Sequence, residues 1–156
     1  MRDKGQALGH LAAQIGEFTK SEPGDGQLAA ERELLAQALD DVQAMIGAMV
    51  GALMTADPRA EGGDPRNVYK VGQNTTRLLL AGGDLVVGWL LLRQAELASA
   101  RLADGSGLSP QDRAFYQGKM ASAKFFCRNI LTNVFGRYVA LQQEDLSAME
   151  IPEEAF

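Results

Sequence analysis

One cysteine, one histidine and five prolines in 156 residues rule out several common ways of building a protein. The lone Cys127 has no partner for an internal disulfide, which points to a reducing compartment and hence to the cytoplasm. With His10 as the only imidazole, histidine-rich metal sites and most nucleophile–base pairs are out of reach. Positive charge is short too. Fifteen Lys and Arg face twenty Asp and Glu, for a net charge of −5, and no local basic cluster offsets that balance. Binding nucleic acid through phosphate neutralisation is therefore not expected. The start "MRDKGQALGH" carries basic residues with no apolar run behind them, which speaks against a secretory signal. Strand-like alternation and internal repeats are both missing.

Helical periodicity fills most of the chain. A first helix is expected over about Asp3–Thr19, with Leu8, Leu11, Ile15 and Phe18 on one face. It starts beside Met1 with no cap but Asp3, as though it continued something upstream. "SEPGDG" breaks it. A second helix is expected over Gln27–Thr55. Leu28, Leu35, Leu39, Val42, Ile46, Met49 and Leu53 line its apolar face, widened by Met45 and Val50. Glu31, Arg32, Glu33, Gln37, Asp40 and Gln43 lie mostly on the other. The loop "ADPRAEGGDPRN" follows, with two Asp-Pro dipeptides.

A third helix is expected over Val68–Leu102 and a fourth over Pro110–Ala148. Ser109, Pro110 and Asp112 form a helix-start signal between them. The fourth carries a stripe of Tyr116, Met120, Ala123, Cys127, Ile130, Val134, Tyr138 and Leu141, flanked by Phe126, Leu131 and Phe135. Short loops make successive helices antiparallel. The fold class is therefore all-α: an up-down-up-down four-helix bundle with long third and fourth helices, one domain over residues 1–156.

The third helix holds the most apolar stretch, Leu78–Leu92. It is shorter than the roughly 20 apolar residues of a membrane span, carries Asp84, and grades into Arg93, Glu96 and Arg101. It reads as a buried helix, apolar on nearly every face. Glycines at 47, 51, 82 and 83 fit close helix crossings. A carboxylate among Leu, Val and Gly must be paired, so Asp84 is expected in a salt bridge or at an interface. Lys119, Lys124 and Arg128 are the candidate partners, and a catalytic base is the minor alternative.

Site chemistry is otherwise sparse. A di-iron bundle needs Glu-x-x-His on two helices, and His10 has no such Glu. The pairs Asp40/Asp41 and Glu144/Asp145 read as solvated charge. "GGDLVVG" lacks the order of a phosphate loop. Cys127 sits on the apolar stripe, as a small hydrophobe would. No catalytic, cofactor-binding or metal-binding residue is assigned.

The last two helices carry a resemblance. Gly88-Trp89-Leu90-Leu91-Leu92-Arg93-Gln94-Ala95 leads into a loop. Asp112, Phe115, Tyr116 and Lys119 then follow as D-x-x-F-Y-x-x-K, and Glu153–Phe156 close the chain as an acidic tail. Together these resemble the C-terminal helical domain appended to one subgroup of acyl-CoA dehydrogenases. "RDKGQALGHLAAQI" is similar to the link leaving that family's catalytic bundle. The resemblance implies a C-terminal fragment of a larger flavoenzyme, whose FAD and catalytic carboxylate lie in upstream domains. It implies a cofactor-free piece, inactive alone, packing on the catalytic body or a subunit interface, or self-associating. Asp84, Trp89, Arg93, Tyr116 and Lys119 are its candidate interface or buried polar residues. A free-standing bundle holding a partner helix or an acyl chain is the alternative, since six Met and six Phe can line an adaptable groove.

Overall fold

The computed structural model describes residues 5–21, 26–59 and 61–155. Among them every element is helical. Helix α1 spans Gln6–Lys20, α2 Ala29–Met54, α3 Asn67–Asp104 and α4 Pro110–Phe126. A π-helical segment, Cys127–Leu131, then leads into α5, Asn133–Gln142, and two short 3₁₀ turns finish the chain. The expected long fourth helix is thus α4, the π segment and α5 in succession. It stops at Gln142, short of Ala148, where Gln143 and Glu144 close the last turn onto Val139 and Leu141. The expected start at Asp3 lies outside the described residues.

The helix ends follow local chemistry. The Asp112 amide donates to Ser109 Oγ at 3.1 Å, and the Ser109 amide donates back to Asp112 Oδ2 at 3.2 Å. This is the reciprocal box expected from the sequence, and the two bonds to Ser109 hold the Asp112 carboxyl below its usual pKa. Helix α3 ends at Gly105, whose φ of 63° suits a residue without Cβ.

Helices α2 and α3 form the centre, and the α4–π–α5 run lies along α3. Helix α1 rests on α2. The antiparallel order is visible in side-chain pairs. Arg32 near the start of α2 meets Glu96 near the end of α3, and Arg77 early in α3 lies 3.7 Å from Glu144 beyond α5.

The core follows the three-and-four spacing of each helix. Leu35, Ala38, Leu39, Val42 and Met45 come from α2, and Ala81, Leu85, Leu92, Ala95 and Ala98 from α3. Met120, Ala123, Cys127, Leu131 and Val134 complete it. Each fully buried Leu stabilises by roughly 1.5–3 kcal/mol, so Leu92→Ala would remove one of the larger single contributions. Three expected core residues are instead solvent-facing: Leu53, Val50 and Phe135 are about half exposed. The C-terminal end of α2 is covered on one side only, and Phe135 turns away from the line of Leu131, Val134 and Leu141.

The glycines divide sharply. At Gly88 a Cβ would stand 3.2 Å from Leu131 and 3.6 Å from Phe126, so α3 and the π segment approach closely there. At Gly47, Gly51, Gly82 and Gly83 a Cβ would meet nothing within 4 Å. Those four are not needed for any crossing inside this chain, contrary to the expectation from sequence.

Candidate functional site

Helix α3 buries one face and leaves the opposite one open. Ala81, Leu85, Gly88, Leu92, Ala95 and Ala98 are buried against α2 and the α4–π–α5 run. Leu79, Val87, Leu90 and Leu97 follow one another on the outer side at helical spacing, with Leu80 beside them and Gly83 between. Leu79 is 73% exposed and Leu97 71%. The expectation of a helix buried all round is therefore corrected. Its surplus of apolar residues lies on a face that this chain does not cover. By length and composition alone α3 could cross a membrane, and only 22% of its most apolar window is buried here. A contiguous apolar stripe of this kind marks a surface that meets something else.

The five residues singled out from the sequence fall into two places. Asp84 accepts from Arg137 Nη1 at 2.5 Å, with both side chains about a quarter exposed. The pairing is a salt bridge as expected, but the partner is none of the three basic residues considered. The register sets this: Gly88 faces Leu131 and Arg77 faces Glu144, so Asp84 lies opposite α5 rather than α4. The other four sit further along the α3–α4 pair. The Arg93 guanidinium lies 5.2 Å from the Trp89 ring centre, a cation–π distance. Lys119 Nζ donates to Gln94 Oε1 at 2.9 Å and lies 5.5 Å from the Phe115 ring. Phe115 in turn meets Tyr116 edge to face at 5.5 Å. Trp89 Nε1 is buried without an acceptor.

Several buried polar groups escape a reading by helical face. Glu31 is 1% exposed and Arg32 7%, although both were expected on the polar side of α2. Arg128 satisfies Glu31, its Nε donating to Oε1 at 2.8 Å. Arg32 ties three elements together. Its Nη1 donates to the carbonyl of Phe18 at 3.0 Å and to Ser21 Oγ at 2.8 Å, its guanidinium lies over the Phe18 ring, and it pairs with Glu96. Burial lowers its pKa.

The two acidic pairs also straddle the surface. Asp40 and Asp145 face solvent, whereas Asp41 is buried and Glu144 largely so, and burial raises both of their pKa values. Neighbouring helical residues point about 100° apart, so one member of such a pair can be inside and the other out. The signal available in the sequence was the apolar flank: Val42 and Met45 after Asp41, Leu141 before Glu144.

Nothing in this set resembles an acid–base or nucleophile centre. Cys127 is buried, and its thiol pKa is pushed up to about 12 by burial, with Glu31 adding to the rise. It is protonated and inert at neutral pH. Among the described residues no three His, Cys, Asp or Glu side chains are placed to hold a metal ion. What the geometry offers is a long apolar contact face.

Comparison with known proteins gives that face a context. Residues 11–152 match the family model described as "Acetyl-CoA dehydrogenase C-terminal like". The whole chain is 44% identical over 156 residues to the broad-specificity linear acyl-CoA dehydrogenase FadE5 of Mycobacterium tuberculosis (strain ATCC 25618 / H37Rv), covering 24% of that protein. Over 155 residues it is 34% identical to a butyryl-CoA dehydrogenase of Syntrophomonas wolfei subsp. wolfei (strain DSM 2245B / Goettingen), covering 98% of this chain and 23% of the relative. A further butyryl-CoA dehydrogenase of the same organism is 41% identical over 80 residues. The chain spans about a quarter of the length of the two relatives it matches throughout. With 142 of its residues inside the matched span, the chain belongs to the acetyl-CoA dehydrogenase C-terminal-like family.

Proposed function

We propose that this chain is the C-terminal helical domain of an FAD-dependent acyl-CoA dehydrogenase and acts by docking, through the outer face of α3, on the catalytic body or at the subunit interface. The observation that carries this reading is the uncovered stripe of Leu79, Leu80, Val87 and Leu90. The relatives have roughly three further lengths of chain with which to cover such a face. Gly83 lies in the stripe with free space over it, where a partner helix can come close. The parent reaction is α,β-dehydrogenation of an acyl-CoA thioester in the cytoplasm. FAD and the catalytic base belong to the parent's other domains, and residues 1–156 are neither catalytic nor flavin-binding alone. Trp89, Arg93, Tyr116 and Lys119 shape the contact on the α3–α4 pair, and Asp84 keeps α5 against α3.

An immunoblot of source-cell extract with an antibody against this domain tests the reading. A polypeptide several times larger than 16.7 kDa, yellow with flavin when purified, is expected. A band at 16.7 kDa with no co-purifying flavoprotein would refute it. A second reading has one specific observation in its favour. Leu8, Leu11, Ala12, Ile15, Val42 and Ile46 line an apolar groove of about 300 Å³ between α1 and α2, wide enough for part of an acyl chain. Saturable fatty-acyl binding by the 16.7 kDa chain would favour a free-standing carrier of that kind.

A further inference from the structure

A second cavity of about 300 Å³ lies at the opposite end of α2, where it meets the start of α3 and the end of α5. Its character differs from the α1–α2 groove. Ala48, Met49, Ala52 and Leu141 make an apolar wall, while Lys70, Gln142 and Glu144 bring polar groups to the same space.

The polar groups are unequally satisfied. Asn74, 2% exposed, has both ends of its amide engaged: Nδ2 donates to the Lys70 carbonyl at 2.9 Å, and Oδ1 accepts from Arg77 at 2.9 Å. Glu144 is different. Its side chain is 10% exposed, Oε1 has only the Arg77 guanidinium at 3.7 Å, and Oε2 is buried with no hydrogen-bond donor. A buried carboxylate oxygen without a donor is costly, and here it borders a space large enough for a small molecule. Burial raises the Glu144 pKa, and the nearby charges of Arg77 and Lys70 pull it back.

Charge selects the occupant. Glu144 is already balanced by Arg77 and Lys70, so an added cation would be repelled by both, and an added anion would meet the carboxylate. A neutral group must still give a hydrogen bond to Glu144 and can take one from Lys70 or Gln142. A carboxamide does both across two adjacent atoms, and an N-alkyl substituent would lie on the apolar wall.

We infer that this cavity is a binding site for a neutral carboxamide group, whose N–H donates to Glu144 Oε2 and whose carbonyl accepts from Lys70 or Gln142. This inference does not rest on the family reading.

The test is an NMR titration of the 156-residue chain with N-methylacetamide, beside n-propylammonium and propionate as charged probes of similar size. So small a probe binds weakly, with a Kd on the order of 10 mM. The expected result is saturable shifts confined to Ala48–Thr55, Asn67–Asn74 and Leu141–Glu144, a lower titration midpoint for the Glu144 carboxyl when the probe is bound, and at least roughly tenfold weaker binding of both ions. Ala52→Leu, which fills the wall, should abolish saturation while the helical circular dichroism stays unchanged. Glu144→Ala should weaken the amide and leave propionate no weaker than before. Shifts that never saturate, or amide binding that survives both substitutions, would overturn the proposal and leave Glu144 Oε2 to solvent.

Discussion

Glu31, in the first turn of α2, is 1% exposed and takes its hydrogen bond from Arg128 in the π-helical segment. The two ends of this pair are not equivalent, because the Arg128 side chain is 57% exposed. Removing the arginine strands a buried carboxylate, whereas removing the carboxylate's charge leaves an arginine that water can solvate. Arg128→Ala should therefore cost about 2–3 kcal/mol, somewhat below the range for a fully buried pair. Glu31→Gln should cost less. Urea unfolding of the two variants measures this, and equal losses would contradict it.

Glycine substitutions along α3 should separate internal packing from external contact. Gly83→Ala gains helix propensity in open space and should stabilise the isolated chain by about 0.5–1 kcal/mol. Gly88→Val forces its branched side chain against Leu131 and Phe126 and should destabilise by about 1–3 kcal/mol. Thermal melts of both proteins check the opposite signs.

Asp41 gives the stability a pH dependence of unusual sign. Its folded-state pKa is raised, mainly by burial, above the ordinary 3.8. Below that value both folded and unfolded states hold the proton and there is no penalty. As pH rises from about 4 through the raised folded value, the unfolded chain ionises first and stability is lost. Asp41→Asn keeps an oxygen for the Gln37 amide, 3.1 Å away. The variant should be more stable than the parent at pH 7 and equal to it near pH 3. Denaturation curves at the two pH values decide.

Cys127 should resist thiol reagents. With its pKa at about 12 and its side chain fully buried, labelling by iodoacetamide at pH 8 should proceed only through opening of the π segment. Urea near the unfolding midpoint should accelerate it steeply, and fast labelling in native buffer would contradict the burial.

The helices were legible in the sequence because their apolar spacing and loop chemistry agree. The Ser109–Asp112 box and the Pro- and Gly-rich breaks mark α3 and α4 to within two residues. Less was legible in the faces. Glu31 and Arg32 look like ordinary surface charge until Arg128 and Glu96, far along the chain, supply their partners. The glycines at 82 and 83 read as crossings, yet only Gly88 faces a neighbour. Spacing along one helix shows which residues share a side, but not whether anything covers it. The composition of α3 held the hint: a helix apolar all round in a chain too small to surround it.

The central claim is that the outer face of α3 is an interface in the native protein. The most direct measurement is hydroxyl-radical footprinting of Leu79, Leu80, Val87 and Leu90 in the species purified from its source cell, compared with the isolated 156-residue chain. Docking predicts strong labelling in the isolated chain and severalfold protection in the native species, with exposed residues away from the stripe such as Leu8 serving as the internal reference. Equal labelling of the stripe in both would mean that the face stays open to water, and the docking role would fail.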